Sequence, residues 1–202
     1  MTTLRTEEFT VAENKTDYEA LKAILQKRLN EKRYYHSLCV ADEAKRLAEK
    51  YGGDSEKSYL AGLLHDITKN APDEEHLQIF KEFGIILSDV EQNAKKLWHA
   101  MSGALYVKNI LGINDPEIID AIRYHTTAKA DMSLPAKILY LADFTSKDRD
   151  YEDVDVIREY VDESLEKAFV YALEYSITDL VNQGRAIHPD TVQAYNQAVL
   201  KN

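Results

Sequence analysis

The run Leu60-Ala61-Gly62-Leu63-Leu64-His65-Asp66-Ile67-Thr68-Lys69 restricts the fold more than any other stretch of the chain. It reads as an apolar helix that ends in an adjacent histidine and aspartate, with a lysine three residues on. Burying an ionised carboxylate is costly unless a cation or a polar partner compensates it. A metal ion is one such partner, and imidazole with carboxylate is a normal ligand set for iron, manganese or zinc. The dipeptide alone is a weak signal. With 6 histidines in 202 residues, chance supplies about half a His-Asp pair, so the surrounding helices must carry the reading.

A chain of 202 residues suits one domain with a substantial core. Seven glycines and four prolines leave little punctuation for a many-stranded sheet and favour long helices. A net charge of −10 argues against a basic surface for nucleic acid or anionic membrane. It still permits an anionic substrate, because bound divalent cations can dominate the local charge. Cys39 is the only cysteine, so no disulfide framework exists and a cytoplasmic location is the simple expectation. Cys39 itself reads as a small packing residue. No stretch is apolar enough to span a bilayer, and the polar N-terminus lacks a signal-peptide core.

Residues 1–15 are polar and aperiodic and are expected to form an extension, with residues 16–202 as the domain. Thr16 and Glu19 fit a capping box ahead of Leu21, Ile24, Leu25 and Leu29 at helical spacing. A helix from about Arg33 to Tyr51 stops at Gly52-Gly53, and His36 lies one turn before Val40 on its inner stripe. Asp54 caps the helix that leads to His65-Asp66. Further helices are predicted over about 73–83 and 88–111, the latter opened by a Ser88/Glu91 capping box and carrying His99 and Gly103 on one face. Gly103 there would let another backbone or a ligand come close. Asp115-Pro116 starts a helix whose stripe is Ile118, Ile122 and His125. Pro135 opens another, with Leu139 and Asp143 one turn apart. A charged, turn-like run over 146–155 precedes a long amphipathic helix over about 163–183. A loop, Arg185-Ala186-Ile187-His188-Pro189, leads to a short last helix. His76, on a charged helix, is expected to face solvent, and Trp98 to be a core aromatic. The predicted fold is all-α, one bundle of roughly eight to ten helices.

Singly, each polar residue on an apolar stripe is more often a hydrogen-bonded core residue than a ligand. Jointly the odds change. His36, His65, His99 and His125 sit on the inner faces of separate predicted helices, as do Asp66 and Asp143, and facing helices are a common frame for a metal site.

The order His36, His65-Asp66, His99, His125, Asp143 resembles the pattern of the HD-domain metal-dependent phosphohydrolases. The flanking stretches Arg33-Tyr34-Tyr35-His36-Ser37, Ala61-Gly62-Leu63-Leu64-His65-Asp66 with Lys69, His125-Thr126-Thr127, Leu141-Ala142-Asp143 and Ile187-His188-Pro189 are similar to the bacterial YqeK family of symmetrical diadenosine tetraphosphate (Ap4A) hydrolases. The resemblance implies cleavage of Ap4A into two ADP. It implies iron as the ion, with manganese or another transition metal as the alternative, held by His36, His65, Asp66 and Asp143. It assigns catalysis to Asp66, Lys69, His99 and His125, the two histidines holding a second ion or contacting phosphate. Substrate contacts are expected from Arg33, Lys69, His99, His125, Thr126, Asp148, Arg149, Arg185, Ile187, His188 and Pro189. Two departures stand out. Phe144 to Asp148 replaces the usual Ile-Glu-Pro run, although Arg149 is kept, and Ala128 occupies a frequent glycine position.

Two other readings stand beside this one. An HD phosphohydrolase could act on nucleoside mono- or triphosphates; guanosine tetraphosphate is disfavoured by Lys69-Asn70 where a Glu-Asp pair would be expected. A non-catalytic nucleotide-binding module is the other. A homodimer is the default expectation for an enzyme of this size.

Overall fold

The computed structural model describes residues 16–201, so the extension expected over residues 1–15 lies outside the described part. Within the described residues the chain forms eleven α-helices and one 3-10 turn, with no strand. The all-α expectation holds. The centre is an antiparallel pair, α2 (Glu31–Tyr51) and α3 (Ser55–Leu64), joined by a tight turn at Gly52, whose φ of 71° is left-handed. Asn30 caps α2 by accepting from the Arg33 amide, and Asp54 caps α3 by accepting from Glu56 and Lys57. The apolar end of α3 is wholly inside: Leu60, Ala61, Gly62, Leu63 and Leu64 are all buried.

Around this pair pack α1 (Tyr18–Arg28), α7 (Pro116–Tyr124) and α8 (Leu134–Thr145). Beyond α8 lie α9 (Val154–Glu163), α10 (Leu165–Asn182) and α11 (Pro189–Lys201). A satellite core of Phe80, Trp98 and Met101 joins α4 (Asp73–Glu82) to α6 (Trp98–Asn109).

The boundaries differ from the expected ones in three places. Helix α1 is capped by Asp17, which accepts from the Ala20 amide, and not by a Thr16/Glu19 box. The single helix expected over 88–111 is broken into α5 (Asp89–Asn93), the turn Lys95–Leu97 and α6. The Ser88/Glu91 box does form, but Ala94 leaves helical geometry, which lets the Trp98 ring turn inward. Its indole N–H then donates to the Glu91 carbonyl at 2.7 Å, meeting the requirement of a buried donor. Finally, the last two residues of the charged 146–155 run already belong to α9, a helix not expected there, whose Val154, Ile157 and Val161 are buried.

Close approach of backbones occurs at Gly62 and not at Gly103. A Cβ on Gly62 would lie 2.8 Å from the Ala41 Cα, whereas one on Gly103 would meet nothing nearer than the Thr68 hydroxyl at 3.4 Å. His76 is also not solvent-facing. It is buried on α4, and its Nδ1 lies 2.7 Å from the Ser102 hydroxyl. The charged neighbours Glu74 and Glu75 concealed the helix's inward stripe of His76, Ile79 and Phe80.

Candidate active site

The chain leaves α3 at His65 and runs through a turn to Ala71 before α4, so His65 and Asp66 sit on backbone freed from the helix. That turn is tied down from α1 and the α1–α2 junction. Arg28 donates from Nε to the Ile67 carbonyl at 3.1 Å, stacks its guanidinium 4.4 Å from the Tyr106 ring and pairs with Glu75. The Asn70 side chain accepts from the Asn30 amide at 2.9 Å. Sequence reasoning missed Arg28; its place in the last turn of an amphipathic helix gave no sign that it would reach the His-Asp turn.

Four helices and that turn deliver the polar cluster. His36 comes from α2, His65 and Asp66 from the turn, His99 from α6, His125 from the end of α7 and Asp143 from α8. His36, His65, Asp66, His99 and His125 are buried, and Asp143 is half-buried. Nε2 of His36 is 3.0 Å from Oδ1 of Asp143, and Nε2 of His65 is 3.6 Å from Oδ2 of Asp66. Oδ1 of Asp66 lies 3.1 Å from His99 Nε2 and 3.8 Å from His125 Nε2. Two sets of potential ligand atoms each fall within 4.8 Å of one another: His36, His65 and Asp143, and His65, Asp66 and His125. The six residues distant in sequence are therefore brought together.

The imidazoles are pre-oriented. Nδ1 of His65 donates to the Gly62 carbonyl at 2.7 Å, and Nδ1 of His125 to the Ile122 carbonyl at 2.8 Å. A carbonyl can only accept, so in both neutral rings the Nε2 lone pair faces the cluster. His65 Nε2 and Asp66 Oδ1 are buried and make no well-aligned hydrogen bond within the protein. Inward lone pairs, two carboxylates and unpartnered buried acceptors fit a divalent transition-metal ion.

Electrostatics agree with this. Burial acts to raise the Asp66 carboxyl, but His65, His99 and Lys69 outweigh it and hold it well below the usual range. Burial likewise opposes, and Arg149 and His36 overcome, so Asp143 is also held well below. Burial pushes His65 and His76 below the ordinary imidazole value, and His125 well below it. His36 runs the other way, since Asp143 and Asp148 outweigh its burial and raise it. The unfolded chain protonates these histidines near pH 6.5. Below that value it binds protons that folded His65, His76 and His125 do not, so stability falls as pH falls; His36 alone opposes. Chelator-treated protein is expected to melt at lower temperature at pH 5.5 than at pH 7. A flat profile would remove the buried neutral imidazoles from the account.

The remaining expected residues fall into two groups. Near the cluster, Arg33 approaches Asp66 Oδ2 at 3.3 Å, and Lys69 Nζ lies 3.0 Å from His99 Nε2 and 3.5 Å from Asp66 Oδ1. Arg149 pairs with the Asp143 carboxylate and donates from Nε to the Asp143 carbonyl at 2.6 Å. Asp148 does not stand free for substrate: its Oδ2 lies 2.8 Å from His36 Nδ1. The second group lies at a cavity of about 240 Å³ that none of the six cluster residues lines; Thr126, Arg185 and His188 border it together with apolar Val90, Leu97 and Leu180. His188 also starts α11, its Nδ1 accepting from the Asp190 amide at 3.2 Å. Ile187 is half-buried, Pro189 is the exposed first residue of α11, and neither lines the cavity. Ala128 takes a left-handed φ of 55°, which accounts for a glycine suiting this position. Cys39 is buried in α2, as its packing role requires, and Trp98 is a core aromatic.

The sequence model of the HD domain matches residues 33–148, which span the cluster from His36 to Asp148, and the chain belongs to the HD-domain family. HD domains are metal-dependent, and the cluster supplies ligands able to bind a metal. The chain is 35% identical to the symmetrical bis(5'-nucleosyl)-tetraphosphatase of Bacillus subtilis (strain 168), over 90% of this chain and 96% of that protein. Identity to the protein of the same name from Halalkalibacterium halodurans is also 35%, over 88% of this chain and 95% of the relative. The crystal structure of a predicted HD superfamily hydrolase involved in NAD metabolism, from Clostridium acetobutylicum, has a TM-score of 0.90 and 35% identity, covering 94% of this chain and all of the other. Within the HD-domain family, the branch into which the chain falls is that of the symmetrical bis(5'-nucleosyl)-tetraphosphatases.

Proposed function

We propose that this protein hydrolyses Ap4A at its centre, water adding to one inner phosphorus while the central bridging oxygen leaves with the other half, so that two ADP form. The observation that carries the reading is the meeting of His36, His65 and Asp143, and of His65, Asp66 and His125, in one buried cluster whose ligand atoms fall within 4.8 Å in each set. His36, His65, Asp66 and Asp143 would hold the metal, with iron the preferred ion and manganese an alternative. A divalent cation there supplies Lewis acidity to phosphate oxygens and a water acidic enough to act as nucleophile near neutral pH.

The chain's own residues do the rest. Lys69 and Arg149 face the negative charge that grows on the phosphoryl oxygens as attack proceeds. His99 and His125 line the same space and either bind phosphate directly or share a second ion with Asp66. Arg185, His188 and Thr126 would grip the distal nucleotide in the cavity, and Arg33 holds Asp66 from the solvent side. Substrate charge is thereby met without a basic protein surface, consistent with a net charge of −10. Among the described residues no helix is long and apolar enough to cross a membrane. A homodimer is the assembly we expect.

Incubating the metal-loaded protein with Ap4A and separating the products tests the reaction. ADP as sole product is expected; AMP with ATP would mean asymmetric cleavage and defeat the proposal. Lys69→Ala should lower kcat by about 10²- to 10³-fold, the scale for losing one group that stabilises developing charge, with metal content unchanged. Loss of metal in that variant would reassign Lys69 to the metal site.

A further inference from the structure

We infer that Asp148 is a positioning residue whose carboxylate fixes the His36 ring so that Nε2 faces the metal position; the inference rests on the metal-site reading above. His65 and His125 lie at the ends of α3 and α7, where carbonyls of the last turn lack helical partners and can accept from Nδ1. His36 has no such recourse. It sits near the start of a 21-residue helix, where the carbonyl three residues back is engaged by the helix itself. An acceptor must come from another part of the chain, and Asp148 Oδ2 provides it at 2.8 Å from Nδ1. With the proton on Nδ1, the lone pair of Nε2 turns toward Asp143 and the neighbouring His65, whose ring centroid is 5.3 Å away.

Asp148 is itself held. The Ser146 hydroxyl donates to its Oδ1 at 2.8 Å. Arg158, reaching back from α9, donates to the carbonyls of Thr145 at 3.2 Å and of Ser146 and Arg149 at 3.0 Å each. The loop after α8 is thus laced into a rigid bracket that ends on a ligand histidine. A partner of this kind fixes the tautomer and orientation of a ligating imidazole, and losing it typically weakens metal binding 10- to 100-fold. It also explains how Asp148 can matter to the reaction without touching substrate.

Titrating Co²⁺ into metal-stripped full-length protein, followed by the visible absorption of the bound ion, tests the inference. Asp148→Ala is expected to weaken Co²⁺ binding by about 10- to 100-fold. Asp148→Asn, whose amide oxygen still accepts from Nδ1, should recover most of that loss, whereas Asp148→Leu, which keeps the bulk but has no acceptor, should show it and stands as the test if the alanine variant fails to fold. The KM for Ap4A at saturating Co²⁺ should stay within about twofold of the parent value. Unchanged Co²⁺ affinity in a folded Asp148→Ala or Asp148→Leu protein would overturn the assignment, as would a raised KM with unchanged affinity, which marks direct substrate contact. Failure of the parent protein to bind Co²⁺ would sink the metal-site reading and this one with it; tight binding by parent and variants alike sinks only this one.

Discussion

Asp66→Ala protein should retain no stoichiometric metal and should lose turnover on the order of 10³-fold or more, the upper range for removing one transition-state-stabilising element. Asp66 turns Oδ2 toward His65, the residue common to both sets of ligand atoms, and Oδ1 toward His99, His125 and Lys69. Removing it does more than delete a ligand. Lys69 and Arg33 would then face the site without their shared counter-charge, and a cation entering would meet net repulsion. The parent protein should gain about 2.7 kcal/mol from metal present at a hundred times its Kd, by mass action on the folded state. The variant should gain nothing, so its melting temperature should be indifferent to added metal or chelator. Asp66→Asn keeps the shape and removes the charge, and should fail in the same way. Elemental analysis finding one equivalent of metal in either variant would show that Asp66 is not a required ligand.

Much of this arrangement was legible in the sequence because helical periodicity reports which side chains share a face. His36 one turn before Val40, and His125 three residues after Ile122, are inward by spacing alone, and both are buried. Where charge and periodicity conflicted, composition misled. His76 sits among glutamates yet points inward to Ser102, and α9 is hidden in a run of acidic residues although Val154, Ile157 and Val161 keep helical spacing. Contacts across the fold were not legible. No local pattern ties Arg28 to the Ile67 carbonyl, 39 residues away, or Asp148 to His36, 112 residues away. The family resemblance put Asp148 near the site, but only the folded loop distinguishes a residue that meets substrate from one that holds a ligand. The same limit applies to glycine: both Gly62 and Gly103 lie on inner helix faces, and only one is pressed against backbone.

Gly62→Ala should destabilise the protein by about 1–3 kcal/mol, the usual cost of forcing an extra methyl into a packed core. In an exposed helix the same change would stabilise by roughly 0.5–1 kcal/mol, because alanine loses less backbone freedom on folding. Packing reverses the sign. The added Cβ would lie 2.8 Å from the Ala41 Cα, 2.9 Å from the Val40 carbonyl oxygen and 3.0 Å from the Ala41 nitrogen. All three are backbone atoms of α2, so no rotamer change relieves them and Ala41→Gly cannot rescue the variant. The helices must separate instead, and that separation reaches the site from both sides. Helix α2 carries His36, while the Gly62 carbonyl is the acceptor that orients His65. Weaker metal binding should therefore accompany the lower stability, although residue 62 touches no metal ligand except through its own carbonyl. Denaturant unfolding of the metal-free variant measures the first effect and Co²⁺ titration the second. A Gly62→Ala protein as stable as its parent would mean that α2 and α3 are not in backbone contact at this point, and that the register between His36 and His65 is set by something else.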